Sequence, residues 1–142
     1  MARSTECVFC RIVSVEIPAS VLYENEQGIA FLDVNPLSDG HILFVPRDHY
    51  ERLCEMPGDL LSRFVTALPR LGRAVMAVTG TDGYNLLVND GAVAGQVVPH
   101  VHFHLIPRRP VDGLGYRWNA GKYSEGRADE LAAAYQDALH HL

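Results

Sequence analysis

No apolar run in this chain approaches the ~20 residues that a membrane span needs. The start, Met1-Ala2-Arg3-Ser4-Thr5-Glu6, lacks the apolar stretch of a signal peptide. These absences predict a cytoplasmic protein with no membrane partner. Cysteines number three, an odd count that excludes a full disulfide framework, and cytoplasmic thiols stay reduced in any case. Cys7 and Cys10 form a C-x-x-C pair, and Cys54 stands alone and reads as a small core residue. Basic residues are in deficit, with Lys+Arg 12 against Asp+Glu 17 and a net charge of -5. Such a chain offers long nucleic acid no broad cationic surface, although a small anionic ligand needs only local donors. Low-complexity tracts and internal repeats are missing. The glycines form neither a G-x-G-x-x-G nor a P-loop. What is present is 142 residues, 48% apolar and 20% charged, the profile of one globular domain spanning residues 1–142.

The local patterns predict an α+β fold. Cys7 to Val13 reads as a short helix or turn. Val21–Glu24 and Ile29–Leu32 read as strands joined by the turn Asn25-Glu26-Gln27-Gly28, and His41–Val45 as a third strand stopped by Pro46. From Pro57 to Val78, apolar residues recur near the 3.6 period, which predicts one long helix kinked at Pro69. Its apolar face, around Phe64 and Leu71, is a candidate contact for a second copy. Gly83–Val88 and His100–Ile106 complete five strands. Residues 113–126 read as irregular, and Arg127–Leu142 as a C-terminal helix. Strands joined by short turns, without regular βαβ alternation, predict a mainly antiparallel sheet.

Seven histidines lie at positions 41, 49, 100, 102, 104, 140 and 141. Three alternate in His100-Val101-His102-Phe103-His104, a pattern that this histidine content would give by chance only about 1–2% of the time. On a strand, alternate side chains share a face, so three imidazoles are expected in a row about 6–7 Å apart. That is costly as plain core. It serves nucleophilic, proton-transfer or metal chemistry near neutral pH.

The triad resembles that of the histidine triad (HIT) family, in its zinc-bearing branch. The resemblance extends to Cys7-Val8-Phe9-Cys10-Arg11-Ile12, to Ala30-Phe31-Leu32-Asp33-Val34, to Gly40-His41-Ile42-Leu43-Phe44-Val45-Pro46 with His49, and to Asn89-Asp90-Gly91 with Gly95-Gln96. It covers a core of about residues 7–109 and leaves 110–142 as an extension. It implies a five-stranded antiparallel sheet with a long helix, and a homodimer. It also implies hydrolysis at the α-phosphate of purine nucleotide conjugates: phosphoramidates, acyl-nucleotides or dinucleoside polyphosphates. A purine-nucleotide-binding regulator with negligible turnover and a phosphorylase using phosphate in place of water are the alternatives.

The family's roles carry over residue by residue. His102 is implied as the nucleophile, and His104 as the phosphate contact and proton-transfer group. Gln96 is implied to orient water or the leaving group. Val8, Phe9, Ile12, Phe31 and Val34 are implied around the base, and Asp33 on the ribose, where a carboxylate accepts two hydroxyl donors. Taken singly, each apolar residue is an ordinary core residue and Asp33 an ordinary loop start. His41, Asn89, Gly95 and Val97 complete the implied substrate site. Val97 departs from the family pattern, which has Ser or Thr there. Arg108 and Arg109 are candidates for attracting a polyphosphate, or plain surface. The branch implies a structural zinc on Cys7, Cys10, His49 and His100; the bland reading is a reduced, metal-free pair.

Overall fold

The computed structural model describes residues 3–115 and 120–142, so the stretch expected to be irregular lies partly outside the described residues. The chain forms two compact units, residues 1–112 and 113–142. In the first, a five-stranded antiparallel sheet has the order β1-β2-β3-β5-β4, with β1 Val21–Glu24, β2 Gly28–Leu32, β3 Ile42–Pro46, β4 Gly83–Leu87 and β5 Phe103–Arg108. Both faces of its centre are covered. Ala30, Ile42, Phe44, Phe103 and Leu105 pack toward the helices α2 (Gly58–Val65) and α3 (Leu68–Thr79). Ile29, Phe31, Leu43 and Val45, the alternate set on β2 and β3, pack toward the short helix α1 (Val8–Val13). This period-two division places α1 and His104, which pairs with Leu43, on one face and the main core on the other. No helix among the described residues is long and apolar enough to cross a membrane.

Three expectations change. The long helix is two helices. Pro69 has no N–H to give the carbonyl of Val65, where α2 ends, and it sits in the first turn of α3, where that N–H is not needed. The face carrying Phe64 and Leu71 is not free for a second copy. Phe64 stacks on Phe44 at 4.1 Å between ring centroids, and both Phe64 and Leu71 are buried under the chain's own sheet. Cys54 is exposed rather than core, because it lies on a one-turn 3-10 helix, Leu53–Glu55, outside the sheet.

The second unit carries α4 (Arg127–His140), with Asp129 and Glu130 in its first turn and His140 in its last, charges that suit the helix dipole.

Candidate active site and metal centre

The fifth strand starts later than expected, and this shapes the site. β5 pairs with β3 only through Ile42↔Leu105, Leu43↔His104 and Phe44↔Phe103. Continued, the register would set Val45 opposite His102 and then Pro46, which has no N–H, opposite Val101. The carbonyl of Pro46 accepts the Nε2–H of His100 (2.9 Å), and the N–H of Val101 donates to Tyr50 instead (2.8 Å). His100 and His102 therefore precede the ladder and only His104 belongs to it. The rings of His102 and His104 have centroids 4.9 Å apart, closer than the strand spacing predicts.

His100 is fully buried. Since Pro46 O can only accept, the ring proton is on Nε2 and Nδ1 presents a lone pair. That nitrogen lies 3.4 Å from Cys7 Sγ, 3.6 Å from Cys10 Sγ and 3.2 Å from His49 Nδ1, and Cys10 Sγ is 3.4 Å from His49 Nδ1. Cys7 caps α1 and Cys10 is three residues on, so one helical turn brings both thiols to the same side. Tetrahedral zinc, at ~2.1 Å to nitrogen and ~2.3 Å to sulfur, sets its ligand atoms roughly 3.3–3.8 Å apart. The four residues fit that ion in chemistry and spacing. Burial pushes His100 down to about 4, keeping it the neutral ligand a metal requires, and burial beside Cys7 pushes the Cys10 thiol up.

The tautomer of His102 is fixed the same way. Its Nδ1–H donates to His100 O at 2.7 Å, which leaves Nε2 unprotonated. The ring is buried against the edge of Phe9, with centroids 5.1 Å apart, and burial lowers its pKa.

His104 belongs to a second cluster, with Asp33 and His41. The backbone N–H of Leu37 donates to His41 Nδ1 (3.1 Å), so neutral His41 carries its proton on Nε2. That proton points at His104 Nδ1, 2.9 Å away, and Asp33 Oδ2 is 3.7 Å from the same His41 nitrogen. His104 in turn holds its own proton on Nε2, a buried atom with no hydrogen-bond partner among the described residues. Burial, with His102 and His41 nearby, pushes His104 down to about 4. This cluster does not suit a metal: for Nε2 of His41 to ligate, its proton would have to move to Nδ1, which would then confront the Leu37 N–H.

His102 and His104 open into a cavity of about 430 Å³. Val8, Phe9 and Ile12 from α1, Phe31 from β2, Asp33 and Val34 after it, and Asn89, Gly95 and Val97 all line it. Asp33 also accepts the Asn35 N–H at 2.8 Å, so it both starts the loop and faces the cavity. Ile17, Pro18, Ala19, Leu32, Asn35, Leu43 and Val98 line it too. Sequence reasoning missed these. Two of the implied site residues do not line the cavity. His41 stands behind His104, and the amide of Gln96 is engaged by backbone: Oε1 accepts Gly91 N–H (2.8 Å), while Nε2 donates to Glu51 O (2.7 Å) and Val98 O (3.1 Å). The arginines considered for a polyphosphate are engaged elsewhere. Arg108 bonds both carboxylate oxygens of Asp112 (2.7 and 2.9 Å) and Asn85, and Arg109 donates to Thr79 O. A cavity of about 490 Å³ on the other face, between α3 and β1, contains no histidine, cysteine or carboxylate in its lining.

The HIT domain family model matches residues 14–111. The adenosine 5'-monophosphoramidase of Candida albicans is 36% identical over 152 residues, covering 98% of this chain and 100% of that one. The crystal structure of a Streptococcus mutans protein superposes with a TM-score of 0.93 at 34% identity, covering 98% of this chain and 89% of that one. A zinc-bound histidine triad family protein from Mycobacterium smegmatis superposes with a TM-score of 0.73 at 36% identity, covering 94% and 97%. Sheet order, histidine geometry and these matches lead to one conclusion: this chain belongs to the HIT domain family.

Proposed function

We propose that this protein is a nucleotide hydrolase that releases a nucleoside monophosphate from a conjugate, through a nucleotidyl-histidine on His102. The observation that carries the reading is the orientation of His102: its Nδ1–H is tied to His100 O, so the nucleophilic lone pair of Nε2 belongs to a buried ring that lines the cavity. The apolar side chains of α1 and β2 take the purine. Asp33 accepts the ribose hydroxyls. Asn89, the backbone at Gly95 and His104 Nε2–H hold the phosphate. The adenosine 5'-monophosphoramidase named above, with nearly full mutual coverage, supports this substrate class.

In the free protein burial keeps the His41–His104 pair neutral. The neutral pair keeps the His104 Nε2–H as a donor to the phosphate and the leaving nitrogen. His102 Nε2 forms a bond to the α-phosphorus while the bond from phosphorus to the leaving nitrogen breaks. The departing amine takes one proton from solvent and leaves hydrogen-bonded to His104 Nε2–H. Water next attacks phosphorus, the P–Nε2 bond breaks, and the proton lost by water returns to solvent.

Cys7, Cys10, His49 and His100 would hold a zinc ion, which supplies structural closure: it ties α1, with its base-contacting residues, to the segment that carries His102. The zinc-bound relative of known structure supports the assignment. The test of function is release of AMP from adenosine 5'-phosphoramidate by the purified protein. Steady turnover is expected; binding of AMP without any turnover would replace the hydrolase with a nucleotide-binding protein.

A further inference from the structure

The loop 89–98 brings Asn89, Gly95, Val97 and Val98 to the cavity, yet it contains no regular element beyond the one-turn 3-10 helix Ala92–Ala94. Its position is set by side chains that do not line the cavity. Asp90 Oδ1 accepts from Arg52 Nε (2.9 Å) and from the backbone N–H of Leu53 (3.1 Å). Gly91, at φ +100°, passes so close to the Arg52 guanidinium that a Cβ there would lie 3.2 Å from Nη2. Gln96 closes the loop on itself through Gly91 N–H and Val98 O, and ties it to Glu51 O. The attachments that leave the loop meet one short segment, Glu51–Leu53, which follows His49 and Tyr50; Tyr50 O in turn receives the N–H of Val101, between His100 and His102.

We propose that Asp90 and Gln96 are positioning residues that seat the phosphate-facing loop 89–98 on the Glu51–Leu53 segment and thereby set the protein's grip on the nucleotide's phosphate. The proposal rests on the reading of the cavity as a nucleotide site. An exposed Arg–carboxylate pair alone contributes little. Here the same carboxylate also takes a backbone N–H, and the Gln96 amide uses both of its hydrogens on carbonyls. Loss of either side chain frees the loop at two or more points, while the base-binding walls on α1 and β2 make none of these contacts.

The test compares AMP with adenosine by calorimetry, in the wild type and in Asp90→Ala, Asp90→Asn, Gln96→Ala and Gln96→Glu. Asp90→Ala and Gln96→Ala are expected to weaken AMP about tenfold, the loss of one or two good hydrogen bonds, with adenosine affinity unchanged. Asp90→Asn, which keeps an acceptor, should recover part of the loss. Gln96→Glu keeps the acceptor for Gly91 but loses both donors, and should not recover. In turnover, KM should rise more than kcat falls. Equal losses for AMP and adenosine, or no loss for either, would overturn the proposal. Amide hydrogen exchange over residues 91–98 separates it from the functional reading. A wild type that binds neither ligand would end the nucleotide reading, and the latch would still stand on faster exchange in the Ala variants or fall on unchanged exchange.

Discussion

The two histidine clusters lie four residues apart along the chain at His100 and His104, and burial pushes both of these rings down to about 4. Nevertheless the backbone prepares them for opposite chemistry. At His100, a carbonyl claims Nε2–H, and the free lone pair of Nδ1 faces two thiols and another imidazole. At His41, a backbone N–H claims Nδ1, so Nε2 keeps its proton and donates it in a hydrogen bond to His104 Nδ1. One arrangement presents a lone pair that suits a metal, and the other leaves a ring N–H as a donor. Both clusters are tight, and the second is the less buried; what sets their chemistry apart is which ring nitrogen the backbone has taken.

This difference breaks most visibly at the metal. Cys7→Ser or His100→Ala should take zinc from about one per chain to near none and lower the melting temperature on the order of 10 °C, because metal affinity is folding free energy. His104→Asn should leave zinc content untouched. Elemental analysis and calorimetry check both, and equal zinc in all three variants would erase the distinction between the clusters.

Acid should act on the His41–His104 cluster in a defined direction. The folded pKa of His104, about 4, lies below the ordinary value near 6.5, so between these limits the unfolded chain binds the extra proton. The stability from keeping His104 neutral is complete above about pH 6.5 and is lost as pH falls toward 4. Melting temperatures of the zinc-loaded protein should therefore decline over that window, less steeply in His104→Asn. A rise on acidification would contradict the burial account.

The smallest effect expected is at the cavity mouth. Val97 is 88% exposed and lines the cavity, but its side chain offers no hydrogen bond. Val97→Ser should speed cleavage of a phosphoramidate with a poor amine leaving group roughly tenfold, or 1.4 kcal/mol. A nitrophenyl ester, whose leaving group needs no proton, should change little. Equal changes on both substrates would reduce Val97 to packing.

Much of this arrangement was legible in sequence. Turn residues and the stop at Pro46 located β1 to β3, and the family resemblance assembled Cys7, Cys10, His49 and His100, which spacing alone could not, since the ligands are up to 93 residues apart. What escaped depends on distant backbone. The late start of β5 follows from Pro46 and His100 meeting across 54 residues. The place of His41 behind His104, and of Gln96 behind its loop, follows from the Leu37 N–H and the Glu51 carbonyl. Pro69 was read as a kink because periodicity continues across it, although the carbonyl it leaves without a donor ends one helix and lets another begin.

The account turns on His102 Nε2 as the group that takes the nucleotide. The direct measurement is rapid mixing with adenosine 5'-phosphoramidate, an alkaline quench that preserves P–N bonds, and peptide mass spectrometry. The account predicts a nucleotidyl adduct on His102, absent in His102→Ala, which should lose turnover by about a thousandfold or more while still binding AMP. An adduct on another residue, or full turnover by His102→Ala, would contradict it.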